Sequence, residues 1–327
     1  MPPIEWNPTV DPSDLVARAR EALAAGGVVV LPGDCGPLAV AKPGALPSHL
    51  PEPALLCWGA DEAEALGCTV SPVARRLMFR GWPAPLVLEL PSANGPVRVR
   101  CPEHPVAELL TQAATDLGPL HVADAPNGVP DAALVVTAEL QPGGAPTLVR
   151  ATDSGFEILR DGAFPRAEVE RLAARIILFV CTGNTCRSPL AEALAKVMLA
   201  ERVGCTVDEL PARGFWVLSA GVAAYAGDAA SPESVATAAE HGADLSRHAS
   251  RPVNPQLLLA ADDVICMTRG HLHALATRYT GTAPAARLLC GEEDLDDPIG
   301  AGPEVYRACA GTIRTHLERL ITEWVGA

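Results

Sequence analysis

One stretch, RIILFVCTGNTCRSPLAEAL (175–194), constrains this chain more than any other. Residues 176–180, IILFV, are apolar at every position, the pattern of a strand covered on both faces. A polar turn runs from Cys181 to Ser188, and Pro189 opens a segment with helical spacing that continues through LAEALAKVMLAERV (190–203). A buried strand feeding a helix through so short a turn is the first half of a parallel βαβ unit.

The rest of the C-terminal half repeats the alternation. FWVLSAG (215–221) reads as a strand, and SPESVATAAEHG (231–242) as a helix with Ser231 as N-cap, a proline at its first position and Gly242 as its stop. ADDVICM (261–267) reads as a strand and 303–325 as a long final helix. Such an order specifies a doubly wound parallel sheet, and such sheets bind ligands at the carboxyl ends of their strands. Cys181 lies at one of those ends.

The N-terminal half is mixed α/β. DPSDLVARAREALAAGG reads as a helix capped by Asp11 or Ser13 and ended by Gly26-Gly27. Strands are expected at 28–31, 54–58, 85–90, 97–101 and 133–137, and helices at 71–79 and 105–117. Prolines and glycines over 32–53 suggest loop. Residues 143–165 read as closing strands, and PRAEVERLAA as a helical connector. The expected domains are 1–165, a connector at 166–174, and 175–327.

Composition narrows the function classes. The 327 residues carry a net charge of −14, and Lys42 and Lys196 are the only lysines. Generic attraction to nucleic acid or anionic membrane is disfavoured, because phosphate backbones demand clustered cations. No apolar run reaches the roughly 18 residues of a membrane span. The opening MPPIEWNPTV has no basic and apolar signal pattern, so the expected location is cytoplasmic, with no membrane partner. Ten cysteines occur without a C-x-x-C pair or zinc spacing, so no metal or other cofactor is expected and most thiols should be reduced and packed.

The joint after Cys181 has its own chemistry. Backbone N–H groups of Thr182, Gly183, Asn184, Thr185 and Cys186 can wrap one point, and the following helix adds its unpaired N–H groups and its positive dipole end. Gly183 permits unusual backbone angles, and Asn184 tolerates a left-handed one. Arg187 can clamp two phosphate oxygens, and Ser188 can donate to the sulfur. A positive field of this kind favours a thiolate, which is a nucleophile for phosphorus. The lysine of nucleotide-hydrolysing phosphate loops is missing, and no histidine cluster supports Cys181 and Cys186 as metal ligands.

CTGNTCRSPLAEA closely resembles the phosphate loop of low-molecular-weight protein tyrosine phosphatases. The resemblance continues through SAGVAAYAGDAASPESVATAAEHGADLSRHASRPV, ADDVICMTRGHLHAL and DDPIG. It implies a flavodoxin-like four-stranded parallel sheet and a phosphorylated protein substrate. By the same resemblance Cys181 attacks phosphorus, Arg187 holds the phosphoryl oxygens, and Asp297 protonates the leaving group and then activates water. Asp296 is the alternative acid; Asp297 is favoured because it precedes Pro298. The loop with Thr185 is similar to the protein-arginine-phosphatase branch, which favours phosphoarginine over phosphotyrosine. Arsenate reductases share the fold, but the relay cysteines about seven residues apart are missing. Cys186, in the same loop as Cys181, is a candidate for redox regulation through a reversible disulfide. The eight histidines read as structural or surface residues.

Residues 10–165 resemble the YrdC-like domain of threonylcarbamoyl-adenylate synthases, through GGVVVLPGDCGPLAV, RGWPAPLVLEL, VRVRCPEHP and ILRDGAF. That resemblance implies ATP, threonine and double-stranded RNA as ligands, and a whole-protein alternative in tRNA modification. The departures are large. Gly33, Asp34, Cys35, Gly36 and Pro37 replace the family's threonine- and tyrosine-bearing motif, its basic segment is absent, and Asn127 alone survives of its serine-alanine-asparagine run. Residues 1–165 hold 10 Lys and Arg against 19 Asp and Glu, a balance of −9. The expectation is a fold kept with synthase activity lost or much weakened, and only residual nucleotide or RNA binding. Arg100 remains and can still meet a phosphate or carboxylate.

Overall fold

The computed structural model describes residues 3–7, 11–108, 115–138, 144–152, 155–280 and 286–326. Chain contacts divide it into two units, Met1–Ala173 and Ala174–Ala327.

The first unit is built on a ten-stranded mixed sheet. Its strands are β1 (Ile4–Glu5), β2 (Val29–Gly33), β3 (Gly36–Ala41), β4 (Ala54–Leu56), β5 (Leu86–Leu90), β6 (Val97–Arg100), β7 (His121–Asp124), β8 (Leu134–Thr137), β9 (Thr147–Thr152) and β10 (Gly155–Arg160). Their order is β1-β8-β2-β3-β7-β4-β6-β5-β9-β10. Helices Ser13–Ala24, Ala60–Ala65, Pro72–Gly81 and Arg166–Ala173 pack with it. Three strands, β1, β3 and β7, lie outside the expected ranges. The 32–53 region, read as loop, contains β3, which pairs antiparallel with β2 from Gly33↔Gly36 to Val29↔Val40 and with β7 on its other side. Prolines 32 and 37 face each other in that hairpin, so the breakers sit inside a ladder that its two neighbours hold together. Of the helix expected at 105–117, residues 105–108 are helical, 109–114 lie outside the described residues, and Thr115–Leu117 form a 3-10 turn.

The second unit carries four parallel strands, β11 (Arg175–Cys181), β12 (Phe215–Gly221), β13 (Asp263–Cys266) and β14 (Arg287–Leu288), in the order β12-β11-β13-β14. Side chains along β11 alternate between two cores, as strand geometry demands. Ile177, Phe179 and Cys181 join the core under helices Arg187–Val203 and Pro303–Gly326, while Ile176, Leu178 and Val180 join the one containing Leu258, Val264 and Leu275. This two-sided burial is why the run is apolar without a gap. The strand order reverses direction about β11, so its carboxyl end opens at the switch point of the sheet. Helix Arg187–Val203 starts three residues before the expected 190–203 and ends at Gly204 in the left-handed conformation.

Candidate active site

The turn from Cys181 to Ser188 is folded around the nucleophile candidate. Cys181 is buried, and its sulfur accepts the backbone N–H of Asn184 (3.2 Å) and faces Ser188 Oγ at 2.9 Å. Asn184 has φ +57, and no other described non-glycine residue has a positive φ. Its short amide side chain tolerates that conformation and also organises the loop. Asn184 Nδ2 donates to Ser188 Oγ (3.0 Å) and to Ser219 Oγ (2.8 Å). Its Oδ1 accepts the backbone N–H of Arg251 (2.9 Å), and its carbonyl faces His248 Nε2 at 2.8 Å.

The directions of these bonds follow from chemistry. Ser188 Oγ receives a proton from Asn184, so its own proton goes to the Cys181 sulfur at 2.9 Å or to the Ala220 carbonyl at 3.4 Å. The sulfur is the nearer acceptor. Ser219 likewise receives from Asn184 and donates to Glu192 Oε2 at 2.6 Å. Glu192 is itself buried and paired with Lys196 one turn along the helix. A continuous chain of hydrogen bonds thus runs from one of the two lysines to the thiol.

Among the described residues, no acceptor engages the backbone N–H groups of Thr182, Gly183, Thr185, Cys186 and Arg187. Unspent donors on one loop at a helix N-terminus make an anion cradle. Arg187 is buried, with Nη1 donating to the Leu295 carbonyl (3.2 Å) and Nη2 ion-paired to Asp297. The Asp297 side chain is 40% exposed, and its other oxygen accepts the N–H of Ile299 (3.3 Å). Asp296 is exposed and makes no such contact among the described residues. Glu293 is exposed, and Asp294 is turned to Arg269.

Cys186 is buried, with its sulfur 3.4 Å from Tyr306 Oη and its carbonyl held by Ser234 Oγ (3.4 Å). Burial and the bond to Cys186 push the Tyr306 phenol up to about 12, so it stays a donor. Thr185 is half-buried, and its carbonyl accepts the N–H of Ser231 (2.9 Å). All ten cysteines are free thiols. Burial pushes Cys266 and Cys309 up to about 12, which leaves them unreactive packing groups.

Two histidines read from the sequence as structural or surface residues touch the loop: His248 through Asn184, and His271 through Thr182 Oγ1 (2.9 Å). Glu192, Ser219 and Tyr306 were not singled out in the sequence either. Ser219 and Tyr306 reach the loop from another strand and another helix, and Glu192 acts on it only through Ser219, so their signal in the sequence is weak. Gly221, at the end of β12, is required by contact: a Cβ there would lie 2.4 Å from the Thr182 carbonyl and 3.0 Å from the Asn184 nitrogen. The described residues contain no cluster of three or more metal-ligating side chains and no helix long and apolar enough to cross a membrane.

Comparisons with known proteins agree on the second unit. Residues 176–325 match the family model described as low molecular weight phosphotyrosine protein phosphatase. The chain is 36% identical over 152 residues to the protein-arginine-phosphatase of Bacillus subtilis, covering 45% of this chain and 92% of that one. It is 34% identical over 134 residues to the low molecular weight protein-tyrosine-phosphatase PtpB of Staphylococcus haemolyticus, covering 40% and 86%. A crystal structure of a YwlE mutant from Bacillus subtilis matches at 32% identity and a TM-score of 0.41, covering 46% of this chain and 99% of that one. Through residues 176–325 the chain belongs to the low molecular weight phosphotyrosine protein phosphatase family, and it is a cysteine-based protein phosphatase.

Proposed function

We propose that the second unit hydrolyses phosphoarginine in proteins, with Cys181 as nucleophile, Arg187 as phosphoryl clamp and Asp297 as general acid and then base. The observation that carries this reading is the cradle itself: five unspent backbone N–H groups, a buried arginine and a thiol on one loop. A phosphoryl dianion entering the cradle takes Arg187 away from Asp297. The Asp297 carboxyl, freed from Arg187, then serves as the acid that protonates the leaving group. The Cys181 sulfur displaces that group to form a phosphocysteine. Asp297, now a carboxylate, draws a proton from the water that releases phosphate.

Phosphoarginine is favoured over phosphotyrosine because Thr185 offers a hydroxyl where a phenyl ring is served by an aliphatic wall. Ile299, 67% exposed beside the acid, supplies no aromatic wall. The relatives from Bacillus subtilis and Geobacillus stearothermophilus that support this choice are both named protein-arginine-phosphatase. The test is phosphate release from phosphoarginine and phosphotyrosine peptides, with Cys181→Ser as control. Preference for phosphoarginine, abolished by the substitution, is expected. Preference for phosphotyrosine overturns the substrate, and release unaffected by the substitution overturns the mechanism.

Cys186 is read as the resolving thiol that forms a reversible disulfide with Cys181 on oxidation. Inactivation by peroxide that dithiothreitol fails to reverse counts against it. The first unit is read as a YrdC-like domain whose synthase activity is lost or much weakened. Arg100, expected to be open to a phosphate or carboxylate, is 2% exposed and ion-paired to Asp34 and Asp124, so its charge is already spent inside the fold.

A further inference from the structure

His271 has a fixed tautomer, and the consequence reaches the residue next to the nucleophile. The ring is buried at the N-terminus of helix Arg269–Arg278. Its Nδ1 accepts the backbone N–H of Thr268 at 3.1 Å, a donor that cannot reverse. Burial, aided by the charge of Arg187, lowers its proton affinity to about 4, so the ring is neutral at ordinary pH. A neutral imidazole with its Nδ1 lone pair occupied carries its proton on Nε2. That Nε2–H therefore donates to Thr182 Oγ1 at 2.9 Å.

The Thr182 hydroxyl receives this bond and keeps its own proton unspent. Thr182 is exposed, follows Cys181 directly, and has its carbonyl turned away to the N–H of Ala223 (3.0 Å). Thr182 is part of the cradle loop at the carboxyl end of β11, and His271 lies in the first turn of the helix that follows β13, the strand paired with β11.

We propose that Thr182 Oγ is a side-chain donor to the bound phosphoryl group, and that His271 is the positioning residue that aims it. The proposal rests on the phosphatase reading of the cradle. No bond to phosphorus changes through this pair: it adds a hydrogen bond to one of the equatorial phosphoryl oxygens that share the charge during transfer.

The test uses the full chain with inorganic phosphate and vanadate as probes, alongside turnover of phosphoarginine peptide. Thr182→Val keeps the side-chain shape and removes the hydroxyl. It is expected to weaken phosphate and vanadate binding about tenfold, the scale of one hydrogen bond to a charged group, with a thermal midpoint lowered only by the loss of the His271 Nε2–H acceptor. Thr182→Ser should restore binding to within about twofold of the parent, because it returns the donor. His271→Phe should reproduce the loss in the parent and add nothing in the Thr182→Val background, since coupled residues are not additive. His271→Gln, which can present an N–H, should rescue part of it.

Undiminished phosphate and vanadate binding in Thr182→Val overturns the proposal. So does a His271→Phe effect of equal size in both backgrounds, which marks a purely structural histidine. A parent protein that binds neither probe and releases no phosphate overturns the phosphatase reading of the cradle, and this proposal with it.

Discussion

Asn184 holds more of the site together than any catalytic candidate does. Every polar atom of its side chain is used, and its backbone sits in a conformation that only a few residue types accept. Asn184→Ala removes the donor to Ser188 and Ser219, leaves the Arg251 N–H without its acceptor, and imposes φ > 0 on alanine. We expect a loss of about 3 kcal/mol in unfolding free energy, read by urea titration, with turnover near zero. A variant as stable as the parent would mean the network is dispensable. Asp297→Asn keeps the size of the side chain and removes the carboxyl proposed as the proton donor. It should lower kcat by roughly 100-fold or more, the usual scale of general acid catalysis, while leaving vanadate binding nearly unchanged. Loss of vanadate binding instead would assign Asp297 to the cradle rather than to proton transfer.

At the scale of elements, strand ends and helix starts act directly on the loop. Gly221 closes β12 against the Thr182 carbonyl, so Gly221→Ala should cost about 1–3 kcal/mol of stability by overpacking and also lower kcat/KM. Retained kcat/KM in a destabilised variant would separate the strand end from the cradle. The capping box of helix Arg269–Arg278 uses His271 Nδ1, and this ties the element to pH. The folded value of about 4 lies below the ordinary 6.5, so between those values the unfolded chain binds more protons. Stability therefore falls as pH drops from about 6.5 towards 4 and is flat with respect to this group above 6.5, a contribution on the order of 2–3 kcal/mol. His271→Gln should flatten that part of the pH–stability curve relative to the parent. An identical slope in the variant would assign the titration to other groups.

For the molecule as a whole, the two units use their arginines differently. The second spends its arginine on an open cradle. The first spends Arg100 on Asp34 and Asp124. Incubation of the full-length protein with ATP, threonine and bicarbonate should yield no threonylcarbamoyl-adenylate, and detection of that adduct by mass spectrometry would overturn the inactive reading. Arg100→Met should unfold the protein more readily by about 3–5 kcal/mol, because two carboxylates lose their counter-ion and Asp34 is buried.

What could be read from the sequence alone was what local spacing encodes. The unbroken apolar run 176–180 announced a strand with two covered faces, and C-x5-R-S at its end announced an anion cradle with a thiol in it. Ser231 with a proline after it announced a helix start, and it caps helix Pro232–Glu240 by accepting the Ser234 N–H. These signals survive in one dimension because hydrogen bonds within a turn and burial along a strand depend on near neighbours. Tertiary structure alone decided the rest. β3 exists because β2 and β7 hold a segment whose prolines and glycines argue for loop. Ser219, His248, His271 and Tyr306 reach the loop across 35 to 120 residues of chain, and Arg100 meets Asp34 across 66. Contacts of that separation leave no periodicity in a single chain. They follow from which strand lies beside which, and a parallel sheet sets that order only when all its crossovers have been made.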